Sequence, residues 1–507
     1  MFSRNRICAV VAGSTAADLA HCLRRALLGS RTIELRLDWL QREREIAKFL
    51  AWLRVWCRAH VPGVTLIATC RRSQAGGKFR GDVASQLAIL GVAGECGCGW
   101  CDLEIESAQR QPRAILDTVL GDARRIISFH HFRNTPKNLP AVLRRLERAG
   151  GDMFKIATEC RTIHDSLRIL AAARGGKRRV IAVPMGDMGL PSRVLALREG
   201  SALAYAAANE VTAPGQLSVA EMKDLYRANR LNRRTRVYGL IGDPVQHSLG
   251  PLMHNTAFQA RRMDAVYLPF RVRDLRDFLA AIDPLGIAGF SVTLPHKQAV
   301  LRHLDDCDPL ASQIGAVNTV VVRGERELYG YNTDYVGVLR AVERRITLRG
   351  SRVLLFGAGG AARAAAFALA QGGASTAICA RRLTRARALA RAVGGEAIER
   401  RHLRREFFDV IINAVPVGMF PHGDASPLQA GELNCRLVMD LVYRPMKTRL
   451  LRLAERRGIE TISGVEMFLA QGTAQFEIWT GVRAPEAAMR RVVLGKLRRE
   501  EREQGRG

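Results

Sequence analysis

The 507-residue sequence has no apolar run long enough to cross a membrane, although 48% of its residues are hydrophobic. That hydrophobic share is ordinary for a globular protein, and the chain length predicts two or three domains. Residues 1–13, MFSRNRICAVVAG, lack the sustained apolar stretch and the cleavage site of a signal peptide. They predict a first buried strand instead.

Acidic residues are scarce relative to basic ones, with 48 Asp and Glu against 78 Lys and Arg, for a formal net charge of +30. Such a charge is typical of proteins that bind nucleic acid. The arginines, however, are spread over most helical segments and form no single block with interleaved aromatic residues, which favours solvated helix faces. Their electric field still attracts carboxylates and phosphates, so we expect small anionic ligands, with no specific nucleic acid and no membrane.

The 11 cysteines form neither the disulfide framework of a small secreted domain nor the two Cys-x-x-Cys pairs of a zinc site. Their odd number and wide scatter predict reduced thiols and a cytoplasmic location. One cluster, Cys96, Cys98 and Cys101, lies at the start of a predicted buried strand, with Cys160 as a distant fourth thiol. We therefore predict no metal site.

The first half of the chain alternates apolar strands with segments of helical periodicity, such as residues 16–28, 42–58 and 139–149. Eight repeats over about 250 residues are typical of a (β/α)8 barrel, and the alternative is an open doubly wound sheet. The predicted strands are residues 7–12, 32–39, 64–70, 101–106, 125–132, 153–158, 180–185 and 202–207.

Polar side chains collect at the carboxyl ends of these strands, where barrel enzymes hold their functional groups. The alternation of Glu34, Arg36 and Asp38 places all three on one strand face. Lysine with histidine and several arginines indicates amine catalysis on an anionic carbonyl compound, because a buried lysine can lose its proton and become a nucleophile. Singly, the lysine could be a snorkelling strand-edge residue and the histidine a core residue. The other candidates are Arg71, His130, Lys155, Arg193, Thr212 and Gln216.

A short basic connector, residues 221–236, ends the first half, and its lack of a Gly/Ser or Pro-rich tether places a domain boundary near Asn232. A new α/β pattern begins at Val237. Lys297 and Asp334 each follow an apolar run, and they are the pair that we expect to handle protons beside a hydride acceptor. The alternatives are a surface lysine at a helix start and an aspartate that caps a helix.

Residues 351–366, SRVLLFGAGGAARAAA, predict a strand, a tight turn at Gly357, Gly359 and Gly360, and then a helix. This order suits a dinucleotide pyrophosphate, because glycines allow close approach and a helix N-terminus offers free N–H groups. A glycine-rich turn of an unrelated α/β unit is the alternative.

The strand after this loop, residues 375–380, ends without the acidic residue that binds a free ribose 2′-hydroxyl. Arg381 and Arg385 stand there instead, which favours a 2′-phosphate and hence NADP(H) over NAD. Alternatively they are two more surface arginines. Further strands are predicted within residues 410–419 and 437–445, then a helix within 462–481 and a frayed or disordered tail after Leu494.

Residues 5–222 resemble the type I 3-dehydroquinate dehydratase family through ELRLD, TCRRSQAGG, SFHHF, FKIAT and VTAPGQ, in this order. The resemblance implies a Schiff base on Lys155, general acid/base work by His130 and carboxylate binding by Arg193. Two acidic residues of the family are replaced here, by Ala75 before the glycine pair and by His131 after the histidine. The implied further substrate contacts are Glu34, Arg36, Arg71, Thr212 and Gln216.

Residues 237–490 resemble the shikimate dehydrogenase family through VYGLIGDPVQHSLG, GFSVTLPHK, GAVNTV, YNTDYVG and the glycine loop. The resemblance implies that Lys297 and Asp334 form the catalytic pair. The family's Ser-x-Ser clamp and its Asn-Val-Thr stretch are altered here at Gly250 and Ser291. Implied substrate contacts are Ser248, Thr293, Asn318, Tyr443 and Gln471, and implied NADP contacts are Gly357, Gly359, Gly360, Arg381 and Arg385.

Together the two resemblances predict a fused bifunctional enzyme of the shikimate pathway, the route to chorismate and the aromatic amino acids. We expect a barrel over residues 1–228, a substrate-binding domain over 237–340 with returning helices 465–495, and a Rossmann-type NADP domain over 341–464. The first half would dehydrate 3-dehydroquinate and the second would reduce 3-dehydroshikimate to shikimate with NADPH. The alternatives are a quinate/shikimate-type dehydrogenase with one half altered or inactive, and a non-catalytic basic binding protein.

Overall fold

The computed structural model describes residues 6–60, 63–174, 179–209, 215–420 and 422–504. These residues form two compact units, which are taken separately below. The first comprises residues 1–235 and 270–285, and the second comprises residues 236–269 and 286–507. Within the described residues, no helix is both long enough and apolar enough to span a membrane.

Unit 1 contains an eight-stranded parallel sheet in the order β7-β6-β5-β4-β3-β2-β1-β8. Because β1 pairs with both β2 and β8, the sheet curls into a nearly closed barrel, and the predicted (β/α)8 fold is confirmed against the open sheet. The strands are β1 (Ile7–Val11), β2 (Thr32–Arg36), β3 (Thr65–Thr69), β4 (Trp100–Glu104), β5 (Arg124–His131), β6 (Met153–Glu159), β7 (Val180–Met185) and β8 (Ala204–Ala207).

Helices connect the barrel strands, and side-chain caps fix where several of them begin. Thr15, Asp82, Asn138 and Thr162 each accept a hydrogen bond from a backbone N–H in the first turn of their helix. The helices are α1 (Ala16–Ala26), α2 (Glu43–His60), α3 (Val83–Glu95), α4 (Ile105–Ala108), α5 (Arg113–Leu120), α6 (Leu139–Arg148), α7 (Ile163–Ala173) and α8 (Leu190–Leu195).

Strands β2 and β4 each end two or more residues earlier than predicted. Strand β2 ends at Arg36, and Asp38 lies in a 3-10 turn over Leu37–Trp39, because its carboxylate folds back onto the guanidinium of Arg36. Strand β4 ends at Glu104, and Glu106 belongs to helix α4. In both places the apolar pattern continues past the last ladder hydrogen bond, so pattern alone overestimates the strand.

The barrel interior is filled by side chains from alternate positions of the strands, including Cys8, Val10, Ile126, Met153 and Ala157. Positions two residues from these face the same way along a strand. The interior face of β5 therefore continues through residues 128 and 130, and that of β6 includes residue 155.

Unit 2 begins with a mixed sheet in the order β10-β9-β11-β13-β14-β12, in which β13 runs antiparallel to both β11 and β14. Its strands are β9 (Arg236–Gly242), β10 (Ala265–Arg271), β11 (Ile287–Val292), β12 (Asp306–Cys307), β13 (Thr319–Arg323) and β14 (Glu327–Tyr331). Its helices up to residue 343 are α9 (Gly250–Ala260), α12 (Pro309–Ile314) and α13 (Thr333–Glu343), whereas α10 (Leu275–Leu279) and α11 (Ile282–Leu285) belong to unit 1.

A second, wholly parallel sheet follows in the order β17-β16-β15-β18-β19-β20, with the strand order reversing beside β15 as in a dinucleotide-binding fold. Its strands are β15 (Arg352–Phe356), β16 (Ser375–Cys379), β17 (Glu396–Ala397), β18 (Phe408–Asn413), β19 (Cys435–Asp440) and β20 (Glu460–Ile462). Its helices are α14 (Gly360–Gln371), α15 (Leu383–Ala392) and α16 (Arg449–Glu455).

The chain ends in α17 (Gly464–Thr480) and α18 (Glu486–Gln504), and α18 corrects the prediction of a disordered tail after Leu494. Val493 and Leu497 pack into the core shared with α9, and Lys496 and Arg444 both pair with Glu500. These anchors extend the helix, whereas the composition of the segment alone indicates only charge.

Candidate active sites

The first site surrounds Lys155, which projects from β6 into the barrel and keeps only 6% of its side chain exposed. Its Nζ lies 3.0 Å from Asp102 Oδ2 and 3.3 Å from Glu34 Oε1. The ammonium group also lies 3.8 Å from the centre of the Tyr205 ring. The side chain thus enters the interior, which excludes the snorkelling strand-edge alternative.

Asp102 was missed by sequence reasoning and is the most connected carboxylate at this site. Oδ1 accepts hydrogen bonds from Arg71 Nη2 at 2.7 Å and from Ser128 Oγ at 2.6 Å. Burial alone would raise the pKa of Asp102, but Arg71 and Lys155 hold it well below its usual value. The missed signal is in WCDLE of β4, where Asp102 and Glu104 alternate with apolar residues as the polar residues of ELRLD do.

His130 lies at the end of β5, where Arg71 Nη1 is 2.7 Å from its Nδ1 and also contacts Nε2. Burial lowers the pKa of His130 well below its usual value, and the cations Arg71 and Lys155 lower it further. A guanidinium only donates hydrogen bonds and a neutral imidazole has one ring nitrogen with a lone pair, so Arg71 can bond only one of the two nitrogens that it contacts. The geometry therefore favours a neutral imidazole that can take up a proton.

The remaining residues of the barrel that were predicted to contact substrate differ in their bonding partners and in their burial. Arg36 makes a two-bond ion pair with Asp38 at 2.7 and 2.8 Å, and Glu34 accepts a hydrogen bond from Thr69. Arg193 is buried, and burial lowers the pKa of its guanidinium to about 10, which suits a bound carboxylate. Gln216 is half-buried after β8. Thr212 lies outside the described residues.

The two departures from the dehydratase pattern lie around His130. Ala75 precedes Gly76, whose position leaves no room for a side chain because the ring of Phe132 lies against it. Phe132 in turn stacks on the imidazole of His130, with ring centres 6.0 Å apart. His131 binds the backbone of Asn134 through Nδ1 and faces away from the barrel interior.

The second site pairs Lys297 with Asp334 in unit 2, with 2.6 Å between Nζ and Oδ2. Asp334 Oδ1 accepts a hydrogen bond from Asn318 Nδ2 at 2.8 Å, which orients the carboxylate. The helix cap of α13 is Asn332 rather than Asp334, so the capping alternative is wrong. Lys297 keeps 16% of its side chain exposed and is not a free surface lysine.

A buried polar relay runs from Tyr267 on β10 toward this pair. The hydroxyl of Tyr267 donates to Ser291 Oγ at 2.7 Å, and Ser291 donates to Gln475 Oε1 at 2.9 Å. Gln475 Nε2 then donates to the carbonyl of Asn318, the partner of the aspartate. The hydroxyl of Ser291 thus both accepts and donates a hydrogen bond in the relay. Sequence reasoning missed Tyr267 and Gln475.

Other predicted substrate contacts also lie in unit 2. Ser248 accepts a hydrogen bond from the backbone N–H of Gly250 at 3.1 Å, and its hydroxyl also contacts Tyr443. Tyr443 stacks on Phe468, whose carbonyl accepts a hydrogen bond from Gln471 Nε2. Thr293 is half-exposed just after β11.

The glycine loop joins the end of β15 to α14 and lies next to the lysine of the second site. Gly357 has a φ of +130° and a Cβ there would come within 3.1 Å of the Ala414 carbonyl, so a side chain would strain this turn. A Cβ on Gly359 would meet nothing within 4 Å, which leaves open space at the N-terminus of α14. A Cβ on Gly360 would lie 3.5 Å from Lys297 Cδ, so loop and lysine adjoin.

The dinucleotide sheet supports this loop from the neighbouring strand ends. Asn413 ends β18 beside Phe356, and its Nδ2 donates to Asp440 Oδ1 at the end of β19. Burial raises the pKa of Asp440 to about 6, although Thr448 donates a hydrogen bond to it. Arg381 and Arg385 are exposed beyond the end of β16. The open space, the strained glycine and these cations fit the pyrophosphate and the 2′-phosphate of NADP.

The three clustered thiols Cys96, Cys98 and Cys101 are buried and unoxidised. Burial raises the pKa of Cys98 and of Cys101, to about 12 for the latter. In the described part of the chain, no group of three or more His, Cys, Asp or Glu residues is arranged to hold a metal ion.

Descriptions of known families match three parts of the chain. Type I 3-dehydroquinase matches residues 7–233, the shikimate dehydrogenase substrate binding domain matches residues 240–320, and the shikimate 5'-dehydrogenase C-terminal domain matches residues 464–494. These matches fall on the barrel, on the mixed sheet of unit 2, and on helices α17 and α18.

Among individual proteins, the chain is 36% identical over 482 residues to a chloroplastic bifunctional 3-dehydroquinate dehydratase/shikimate dehydrogenase of Arabidopsis thaliana, covering 90% of this chain and 79% of the relative. It is 44% identical over 278 residues to an NADP(+) shikimate dehydrogenase of Methanosarcina acetivorans, covering 52% of this chain and 99% of the relative. A crystal structure of a shikimate dehydrogenase in complex with NADP+ aligns with a TM-score of 0.50 and 38% identity, over 52% of this chain and 97% of that one.

A barrel with a buried lysine and a dinucleotide fold with a lysine–aspartate pair define a bifunctional α/β enzyme, a lyase joined to an NADP-dependent oxidoreductase. The relatives narrow this class further. The chain belongs to the family of bifunctional 3-dehydroquinate dehydratase/shikimate dehydrogenases. The predictions of family, enzyme class and NADP cofactor are confirmed.

Proposed function

We propose that the chain converts 3-dehydroquinate to 3-dehydroshikimate in the barrel and reduces that ketone to shikimate in unit 2. The observation that carries this proposal is the pair of intact lysine sites in their two settings. One is buried among carboxylates and a neutral histidine, and the other adjoins a glycine loop through Gly360. A non-catalytic binding protein has no need of both arrangements.

In the barrel, the amine of Lys155 adds to the substrate ketone and water leaves, giving an imine. The imine accepts the electron pair when the adjacent C–H bond breaks, and the β-hydroxyl then departs as water. Hydrolysis of the imine restores the ketone and the free lysine. His130 takes up and returns the protons, because a neutral imidazole has one ring nitrogen whose lone pair can accept a proton.

Substrate binding in the barrel falls to the cations at the strand ends. Arg193 binds the substrate carboxylate, since its buried guanidinium gains most from a new counter-ion. We assign the remaining contacts to Glu34, Arg36, Arg71, Thr212 and Gln216 as the dehydratase pattern implies.

In unit 2, NADPH supplies the hydride that adds to the carbonyl carbon. Lys297 donates a proton or a hydrogen bond to the carbonyl oxygen as negative charge develops there, and Asp334 orients the ammonium group at 2.6 Å. Ser248, Thr293, Asn318, Tyr443 and Gln471 bind the substrate, as the dehydrogenase pattern implies.

For NADP, Gly357, Gly359 and Gly360 form the turn at the N-terminus of α14, where N–H groups and the helix dipole meet the pyrophosphate. Arg381 and Arg385 bind the 2′-phosphate. We also propose the domain limits 1–228, 237–340 with 465–495, and 341–464, which the extents of the family matches support. A cytoplasmic location and the lack of nucleic-acid or membrane partners stay predictions.

The test is a coupled assay in which 3-dehydroquinate and NADPH are supplied and shikimate is measured. Lys155→Ala should stop shikimate formation from 3-dehydroquinate but not from 3-dehydroshikimate, whereas Lys297→Ala should let 3-dehydroshikimate accumulate. Borohydride added with 3-dehydroquinate should reduce the imine and tag Lys155. Lys48→Ala, at an exposed helix position, is the matched control. An untagged Lys155 in an active enzyme would refute the imine route.

One observation keeps a second substrate in view, namely the loss of a hydroxyl at Gly250 beside Ser248. A dehydrogenase with a reduced carboxylate clamp could accept quinate, which differs from shikimate by the addition of water across the ring double bond. Rates of quinate and shikimate oxidation with NADP+ decide between them. Faster oxidation of quinate would reassign the second site.

A further inference from the structure

Asp102 joins the two groups that the proposed dehydration requires, although neither family pattern assigned it a role. Its Oδ2 accepts a hydrogen bond from Lys155 at 3.0 Å, and its Oδ1 accepts one from Arg71 at 2.7 Å. The second nitrogen of the same guanidinium, Nη1, lies against the imidazole of His130. One buried carboxylate therefore lies between the lysine and the arginine–histidine pair.

Glu34 is the other carboxylate near the lysine, and it is placed differently. It is 3.3 Å from Lys155 Nζ and shares the same oxygen with the hydroxyl of Thr69. Asp102, by contrast, gives one oxygen to the lysine alone and fixes the other oxygen with Arg71 and Ser128. The carboxylate of Asp102 is thus locked at both ends, and the lysine is held from a rigid strand.

The surroundings of His130 explain why such support is needed in this chain. Alanine at 75 and histidine at 131 stand where the family has acids, so neither position offers His130 a carboxylate. The negative charge of Asp102 acts on the imidazole instead, and it opposes the lowering of the His130 pKa by burial and by the neighbouring cations. The ionisable groups that face Asp102 are Cys8 on β1, Glu34 and Arg36 on β2, Arg71 after β3, His130 on β5, Lys155 on β6 and Tyr205 on β8.

We propose that Asp102 is a positioning residue of the dehydratase site, which holds Lys155 and the Arg71–His130 pair in register and balances their charge. This inference rests on the proposed dehydratase function. Asp102 acts through these neighbours and takes no covalent part in the reaction.

The first test is Asp102→Asn, which keeps the shape and removes the charge. We expect kcat for 3-dehydroquinate to fall about 10- to 100-fold with KM nearly unchanged. The variant removes the negative charge that lies 3.0 Å from Lys155 Nζ, so the pH midpoint for borohydride trapping should move down. NADPH-dependent reduction of 3-dehydroshikimate should be unchanged, which provides an internal control within the same chain.

The matched control is Glu104→Gln on the same strand, because Glu104 is equally buried but bonds Gln86 and the backbone of Arg72. It should leave the pH midpoint of trapping in place. A second variant, Ser128→Ala, removes one of the two hydrogen bonds to Asp102 Oδ1 without changing charge, so it should lower kcat a few-fold at an unmoved midpoint. It also keeps the test decisive if Asp102→Asn prevents the barrel from folding.

The outcomes separate this inference from the function on which it rests. If the unsubstituted chain forms no borohydride adduct at Lys155, the dehydratase proposal fails and the role of Asp102 fails with it. If the unsubstituted chain is active, an Asp102→Asn profile like that of Glu104→Gln overturns the role of Asp102 alone. If Asp102→Asn does not fold, an unchanged kcat in Ser128→Ala overturns the role of Asp102 alone.

Discussion

The two lysines that we propose as catalytic groups lie in opposite surroundings. Lys155 is on a strand inside a barrel, 6% exposed, with two carboxylates at 3.0 and 3.3 Å and an aromatic ring at 3.8 Å. Lys297 is on a turn, 16% exposed, with one carboxylate at 2.6 Å and a glycine loop beside it. Lys155 therefore contacts three groups, whereas Lys297 contacts one carboxylate and lies beside the glycine loop.

The difference matches what each reaction asks of an amine. A nucleophile must lose its proton and meet a carbon atom in one orientation, so a rigid strand and several fixed neighbours serve it. A group that donates a hydrogen bond to a developing alkoxide stays charged, and a single aspartate that orients it is enough. The four predictions below test this contrast.

The largest effect is expected when arginine replaces each lysine in turn. Lys155→Arg keeps the charge but cannot form an imine, so dehydration should fall by about 10⁴-fold or more. Lys297→Arg keeps a charged donor, so reduction should fall by only about 100-fold. Steady-state rates with 3-dehydroquinate and with 3-dehydroshikimate measure the two effects. Equal losses at the two positions would break the contrast between the lysines.

The next largest effect concerns NADPH, which only the second site is expected to use. Replacing both Arg381 and Arg385 by alanine removes two cations from the end of β16, so the preference for NADPH over NADH should fall about 10- to 100-fold. Dehydration in the barrel should not change. Arg387→Ala, an exposed arginine on α15, is the control. An unchanged preference in the double variant would remove the phosphate-binding role.

A third prediction compares two buried histidines. His254 stacks on Tyr267, and its Nδ1 has no hydrogen-bond partner among the described residues. Burial lowers the pKa of His254 to about 3, so the folded state binds its proton less readily than the unfolded state does. Stability from this group is present above pH 6.5 and is lost as the pH falls toward 3, by about 2 kcal/mol at pH 5.

Hydrogen exchange of the α9 amides, measured between pH 8 and pH 5, should report this loss. His254→Gln should flatten the pH dependence of the local opening free energy, whereas His402→Gln, at an exposed position, should not. His130→Gln, by contrast, should abolish dehydration. An unchanged pH slope in His254→Gln would show that this histidine is not the group responsible.

The smallest effect concerns the substrate carboxylate, which a buried arginine would bind in the barrel and hydroxyls would bind in unit 2. Gly250→Ser adds a hydroxyl, but its Cβ would lie 3.2 Å from Ser248 Oγ and 3.4 Å from the ring of Tyr267. The start of α9 must shift slightly, so we expect KM for 3-dehydroshikimate to fall only about threefold. Gly495→Ser, where a Cβ meets open space, is the control. A higher KM in Gly250→Ser would show that the position tolerates no side chain.

Much of the fold was predictable because the apolar pattern is regular. Eight strand–helix repeats and one glycine turn predicted the barrel and the dinucleotide sheet, and the helix bounds followed from local capping residues such as Asn138 and Thr162. Strand ends were less predictable, since Asp38 leaves the strand pattern to pair with Arg36. The charged tail forms a helix whose Glu500 pairs with Arg444, and composition does not indicate a contact between residues so far apart.

The residues of the candidate sites also differ in how well the sequence predicts them. Lys155, His130, Lys297 and Asp334 stand out along the chain because each is a polar residue after an apolar run. Asp102, Tyr267 and Gln475 do not stand out, because their importance comes from neighbours that are 24 to 184 residues away. Contacts between residues so far apart in the chain leave no periodic pattern in the local sequence.

By itself, the sequence determined the two folds, the family and the residue types that carry the chemistry, because periodicity and short motifs are local properties. Only the tertiary structure decided which carboxylate accompanies which lysine and which protonation state the geometry favours for His130. Those features depend on desolvation and on charges brought within a few ångströms by barrel closure and sheet pairing. The two lysines are alike along the chain and become different only through what folding places around them.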